Sequence, residues 1–172
     1  MSASRPEAGE PSPVDVGVVR ALRAEILRPG QAPGELVYHG DDAFDTLHAA
    51  VFERGEAIAG ASVMRESFPP EPGAHDWRVR GMATRPHARG RGAGRALLEM
   101  CIEHARVAGG SVLWCNARVP ARGFYERAGL VALGDVFEIP AIGPHVLMRM
   151  ALGERAHGES RSISQSPSAS SR

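Results

Sequence analysis

The segment RPHARGRGAGRALLEM, residues 85–100, constrains this chain more than any other stretch. Its first eleven positions hold four arginines and three glycines, and apolar residues then recur at helical spacing. Glycine has no Cβ, so the backbone at Gly90, Gly92 and Gly94 can turn tightly and bring its amides close to a ligand. A helix start adds unpaired N–H groups and the positive end of its dipole. WRVRGMAT, just upstream, reads as a strand, so the order is strand, glycine loop, helix. Six arginines and no acidic residue lie between Arg78 and Arg95, in a chain whose formal net charge is zero. This combination favours an anion, and a phosphate or pyrophosphate above others.

Spacing separates the phosphate-binding devices. All 20 Lys and Arg positions are arginine, and a Walker loop requires a lysine. The same absence excludes a lysine Schiff base. A dinucleotide fingerprint needs G-x-G-x-x-G, whereas Gly90, Gly92 and Gly94 give G-x-G-x-G with Arg95 at the next position. Arg89-Gly90-Arg91-Gly92-Ala93-Gly94 fits [Q/R]-x-x-G-x-[G/A].

The remainder of the chain reads as one mixed α/β domain. A length of 172 residues suits a single core. Residues 1–13 are polar and proline-bearing and residues 153–172 are serine-rich, so both are expected to be disordered, around a folded domain at 14–152. VDVGVVRALRAEILRPG predicts an opening helix with Val18, Leu22 and Ile26 on one face. LHAAVFE and AIAGASVM predict antiparallel strands joined at Arg54-Gly55. After the glycine loop, Leu98, Cys101, Ile102 and Ala105 form a helical stripe. SVLWCN reads as a buried strand, PARGFYERA as a short helix, and LVALGDVFEI with HVLMRMAL as a closing strand pair. No apolar run approaches the roughly 18 residues of a membrane span and the N-terminal segment is not signal-like, so a cytoplasmic protein without membrane association is expected. Cys101 and Cys115 lie in apolar contexts with no metal-ligand spacing, so they are expected to be buried thiols and no metal is expected. Zero net charge and the lack of interleaved aromatics argue against nucleic-acid binding.

GMATRPHARGRGAGRALL followed by PARGFYERAGL, with an apolar strand between them, resembles the GNAT superfamily of N-acetyltransferases across residues 77–151. The second segment matches the family's A-x-x-x-Y-E-x-x-G-[FL] helix from Ala121 to Leu130. FEIPAIGPHVLMRM is similar to the ending of the ElaA-like branch, with the order Ile-Gly-Pro-His at residues 142–145. The resemblance implies a mixed, mainly antiparallel central sheet flanked by helices. It also implies acetyl-CoA as co-substrate and direct acetyl transfer to an amine in a ternary complex.

Carried over residue by residue, the resemblance implies that the backbone of Met82, Ala83 and Thr84 runs beside the pantetheine arm. Arg89, Gly90, Arg91, Gly92, Ala93, Gly94 and Arg95 would wrap the pyrophosphate, chiefly through backbone N–H groups. Asn116 would bond the pantetheine or the acceptor, or else cap the following loop. Tyr125 is the candidate proton donor to the departing sulfur, or else a packing aromatic. A phenol of pKa about 10 facing a thiol of about 8.5 makes full proton transfer uphill by about 2 kcal/mol, so Tyr125 needs a lowered pKa or acts as a hydrogen-bond donor.

An alkyl amine is neutral to about one part in a thousand at pH 7, a deficit near 4 kcal/mol that a general base can offset. The strand before the loop carries no acid where many family members have one. His145 and Glu138 are the remaining candidates, His145 being favoured by its titration range. A non-catalytic acyl-CoA-binding module, keeping the loop but lacking a working base, is the alternative. Acceptor recognition is expected in the loops at 29–45 and 66–76, whose Glu35, Asp41, Asp42, Asp45, Glu66, Glu71 and Asp76 would suit a cationic amine. Strands at the sheet edge also offer a route to a homodimer.

Overall fold

The computed structural model of the protein describes residues 8–153. Strands β2 (Leu47–Glu53) and β3 (Glu56–Arg65) pair antiparallel from Leu47↔Val63 to Glu53↔Glu56. Arg54 and Gly55 join them with φ of 51° and 82°, the left-handed pair that matches strand twist in a two-residue hairpin. β3 is buried from Ile58 to Met64, because helices cover it on both faces.

The hairpin belongs to a seven-stranded sheet that also contains β1 (Pro11–Pro13), β4 (Asp76–Thr84), β5 (Val112–Arg118), β6 (Val131–Ile139) and β7 (Gly143–Ala151). The order is β1-β2-β3-β4-β5-β7-β6, and only β4 and β5 run parallel. The fold is therefore the expected mixed, mainly antiparallel sheet flanked by helices. Residues 11–13, expected to be disordered, instead pair with Val51, Ala50 and Ala49. Proline fits there because an edge strand leaves one row of N–H positions unused. The remaining segments expected to be disordered, 1–7 and 154–172, lie outside the described residues.

Helix α2 (Ala93–Val107) packs its Leu97, Leu98, Cys101 and Ala105 stripe on one sheet face, against Trp77, Val79, Leu113, Cys115 and Met148. Helix α3 (Arg122–Arg127) adds Tyr125 to that cluster. Helix α1 (Val16–Leu22) lies against β3 and β2 and continues as one wider turn over Arg23–Leu27. Its buried face is Val19, Leu22 and Arg23, whereas Val18 and Ile26 of the expected stripe are half-buried. The rotation follows from Arg23, whose fully buried guanidinium bonds both oxygens of Asp41, the Ser62 hydroxyl and the Leu36 carbonyl.

Two features of β4 create the site. Its parallel register with β5 covers only Asp76↔Val112, Trp77↔Leu113 and Arg78↔Trp114, after which the strands diverge. Between Gly60↔Ala83 and Ser62↔Arg80, β4 carries an extra residue relative to β3. Gly81 takes φ of 63° within this bulge, and a Cβ there would come within 2.7 Å of Arg23 Nε. The bulge resets the alternation, so that Val79 and Met82 both meet the core under α2 while Arg80 falls on the opposite face.

Candidate active site

The split between β4 and β5 opens into a cleft of about 1170 Å³. Met82, Ala83 and Thr84 form one wall, and Arg118, Ala121 and Phe124 another. Gly90, Gly92, Gly94 and Arg95 close one end at the start of α2. Local sequence dictates that end. Gly90 and Gly92 adopt φ of 72° and 88°, conformations costly for any residue with a Cβ, and face open space. Gly92 is the N-cap residue and offers no side chain to the first amides of α2, whose first turn also lacks an acid. Those amides have no intrahelical acceptor and add to the positive end of the dipole. Gly94 differs from them: its φ is not left-handed, and a Cβ there would make only an ordinary contact, 3.5 Å from the Phe124 ring.

The loop arginines divide. Arg89 and Arg95 line the cleft; Arg89 Nε donates to the Thr84 carbonyl at 3.3 Å, and Arg95 pairs with Glu99 at 2.9 Å. Arg91 turns its guanidinium away to the Glu53 carboxylate, so only its backbone remains part of the loop. That bond holds Glu53 below and Arg91 above their ordinary ranges. Arg118 and Arg127 also line the cleft, which the sequence reading missed. No local motif marks them. They reach the cleft because β5 and α3 end there.

Asn116 sits on β5 opposite Leu147 of β7, half-buried and outside the cleft lining. Its neighbours Cys115 and Ala117 face the core under α2, so Asn116 faces the α1 side with Trp114 and Arg118. Tyr125 lies in the core cluster, 7% exposed, with its ring edge-on to Phe124 at 5.0 Å. Among the described residues its hydroxyl has no hydrogen-bond partner. Burial, with smaller contributions from Cys115 and Cys101, pushes the phenol well above its ordinary value. This direction is opposite to the lowered pKa that full proton transfer needs, and Tyr125 lies in the core outside the cleft lining, which leaves hydrogen-bond donation or packing.

His145 is buried on β7, between Phe137 and Arg118 in register. Its Nδ1 lies 2.7 Å from the Gly143 carbonyl, which can only accept, so Nδ1 carries the proton and Nε2 is the acceptor of the neutral ring. Glu138 lies exposed on β6, opposite Pro144, outside the cleft lining. Cys101 and Cys115 are buried, and burial pushes both thiols up to about 12. Neither is a thiolate near neutral pH.

Residues 19–130 match the Acetyltransferase (GNAT) family. The chain belongs to this family. It is a GNAT N-acetyltransferase, and its family uses acyl-CoA. The chain is 37% identical over 131 residues to YitI of Bacillus subtilis, an uncharacterized N-acetyltransferase, covering 76% of this chain and 88% of that one. Escherichia coli ElaA superposes with a TM-score of 0.66 at 16% identity, covering 81% of this chain and 97% of ElaA. An aminoglycoside 6'-N-acetyltransferase, solved in complex with coenzyme A, superposes with a TM-score of 0.66 at 15% identity, covering 84% and 98%. At such identities these two structures establish the fold. Among the described residues no helix of this GNAT enzyme is long and apolar enough to cross a membrane, and no cluster of three His, Cys, Asp or Glu could hold a metal ion.

On the α1 side of the enzyme, the acids expected to suit a cationic amine have partners within the chain. Every acidic residue of the 29–45 and 66–76 loops makes a contact with another group of the chain. Asp41 bonds Arg23, Asp42 bonds Arg20, Asp45 bonds Arg65, and Glu35 accepts from the Ala32 amide. Glu66 pairs with Arg78 and Glu71 with Arg149, while Asp76 accepts from the amides of Phe68 and Gly73. These contacts hold the loops in place, while the Asp42 and Glu71 side chains stay 78% and 77% exposed.

Proposed function

We propose that this protein transfers acetyl from acetyl-CoA directly to an amine, with both substrates bound together in the split between β4 and β5. The observation that carries the reading is the uncapped start of α2 beneath Gly90 and Gly92, opening on a cleft of about 1170 Å³. In this reading the first amides of α2 and of the glycine loop bind the pyrophosphate, with Arg89, Arg95, Arg118 and Arg127 adding charge. The backbone of Met82, Ala83 and Thr84 pairs with the pantetheine amides, which brings the acyl end to the bulge at Gly81.

The amine nitrogen attacks the thioester carbonyl, the oxyanion forms and collapses, and the C–S bond breaks. Tyr125 donates its hydroxyl hydrogen bond to the departing sulfur. Its unpartnered, neutral phenol supports this role, because it forfeits no existing bond to do so. His145 Nε2 takes the amine proton through water, while its Nδ1–H stays on the Gly143 carbonyl. Direct transfer is supported by the two cysteines, which are too buried and too weakly acidic to carry the acetyl group. Asn116 positions the acceptor from the α1 face, and a homodimer would form through the outer strands.

Calorimetric titration with acetyl-CoA, followed by an amine panel monitored for CoA thiol release, tests the proposal. Binding with release on an amine is expected. Binding without release on a broad panel would leave an acyl-CoA-binding module, and absence of binding would refute the reading of the loop.

A further inference from the structure

We propose that the acceptor is an amine that also carries a carboxylate, an amino acid or a close analogue, and that Arg80 binds that carboxylate. The inference rests on the acetyltransferase reading above and adds the chemical class of the second substrate.

Arg80 differs from the other arginines that the α1 face buries. Arg23 is held by Asp41 at 2.7 Å, Arg78 by Glu66 at 2.7 Å, and Arg149 lies 3.7 Å from Glu71. The half-buried Arg80 has no hydrogen bond or ion pair to an acid among the described residues. Its guanidinium instead stacks on the Tyr38 ring, 4.1 Å from the centroid. Arg23 occupies the same ring at 3.9 Å, so Tyr38 already faces two cations. The carboxylate that reaches Arg80 electrostatically, Glu66, is held on Arg78. Burial first, then repulsion from Arg78 and Arg23, lowers Arg80 below the ordinary arginine range. A desolvated guanidinium without a counter-ion is costly, and an incoming carboxylate relieves that cost with paired N–H donors.

The position agrees with the proposed chemistry. Arg78 is the last residue in parallel register with β5, and Arg80 is the next β4 residue on that face, at the apex of the split. It does not line the cofactor cleft, unlike Arg89, Arg118 and Arg127, so the pyrophosphate does not account for it. With the pantetheine descending β4 from Thr84 to Met82, the acyl carbon arrives beside Gly81, one residue from Arg80. An amine and a carboxylate on one small molecule can span that interval. The buried acids of the neighbouring loops, Asp41 and Asp76, are already held by Arg23 and by the Phe68 and Gly73 amides, so they offer a polycation less than Arg80 offers a carboxylate.

The test compares amino acids with their matching amides, and with spermidine, as acceptors for the full-length protein. The wild type is expected to show a KM about tenfold to a hundredfold lower for the acid than for its amide, the range for one charge-assisted pair. Arg80→Gln should erase that preference with acetyl-CoA affinity unchanged, and Arg80→Lys should keep part of it. Thermal shift of the CoA-loaded wild type by amino acids against amides reports the same preference without relying on a folded variant. Equal or better use of amides or spermidine, a preference that survives Arg80→Gln, or acetyl-CoA binding with no amino acid bound or acetylated would each overturn the inference alone. Loss of acetyl-CoA binding itself would instead overturn the acetyltransferase reading.

Discussion

On the α2 side of the β4–β5 split the polar groups offered to a ligand are chiefly backbone amides, whereas on the α1 side they are side chains, all but Arg80 among the buried arginines locked on acids. The first surface depends on two glycines in left-handed conformations and on a helix start without a capping side chain. The second depends on Arg23, buried completely among Asp41, Ser62 and the Leu36 carbonyl, with His48 bridging Ser62 and the Asp41 carbonyl. A backbone surface needs only glycine and helix geometry, so a short motif encodes it. A surface of interlocked side chains needs partners tens of residues apart, and each can change with the molecule to be recognised.

The comparison can be broken most decisively at Gly92. Gly92→Glu should abolish acetyl-CoA binding in calorimetry, because a carboxylate would then stand where the helix start favours an anion. The left-handed φ of 88° adds a cost of about 1–2 kcal/mol in stability, which thermal unfolding will show separately. Retained affinity would mean that the backbone side does not bind the cofactor.

Tyr125→Phe should lower kcat by about 10²–10³-fold while acetyl-CoA affinity and thermal midpoint hold, as expected for loss of one hydrogen-bond donor to the departing sulfur. Unchanged kcat would reduce Tyr125 to packing within the core cluster.

On the side-chain surface, Asp41→Ala should destabilise the protein by about 3–5 kcal/mol, since it strands a buried guanidinium. Burial alone would raise the Asp41 pKa, but the Arg23 hydrogen bond, the Tyr38 amide and the Arg23 charge outweigh it and leave the carboxyl below 3.8. A depressed folded pKa contributes stability above the unfolded value and loses it as pH falls through the folded one. The deficit of Asp41→Asn relative to wild type should therefore be full at neutral pH and narrow only below 3.8, as followed by denaturant midpoints. A deficit independent of pH would show that the pair contributes packing rather than charge.

The smallest effect is expected at Cys115. Cys115→Ala should leave turnover in place, because a thiol pushed up to about 12 carries no acetyl group, with a stability loss of about 1 kcal/mol. Loss of turnover without loss of binding would reopen a covalent intermediate.

Legibility in the sequence followed locality. The β2–β3 hairpin was readable because Arg54-Gly55 forces the turn between two apolar runs, and α2 because its stripe repeats within one element. The edge strand at residues 11–13 was not, since its only reason to be extended is the free edge of β2. The acids of the two acceptor loops looked free because their arginine partners lie up to 78 positions away, as Arg149 does from Glu71.

By itself the sequence determined the glycine loop, the helix it starts and the family, because glycine conformation and helix-start amides act within a few residues of one another. Only the tertiary structure decided where β4 leaves β5, that β7 inserts between β5 and β6, and that Arg80 stands without an acid while its neighbours are paired. Those outcomes depend on strand register and on which distant charges meet, and no short stretch of chain contains either.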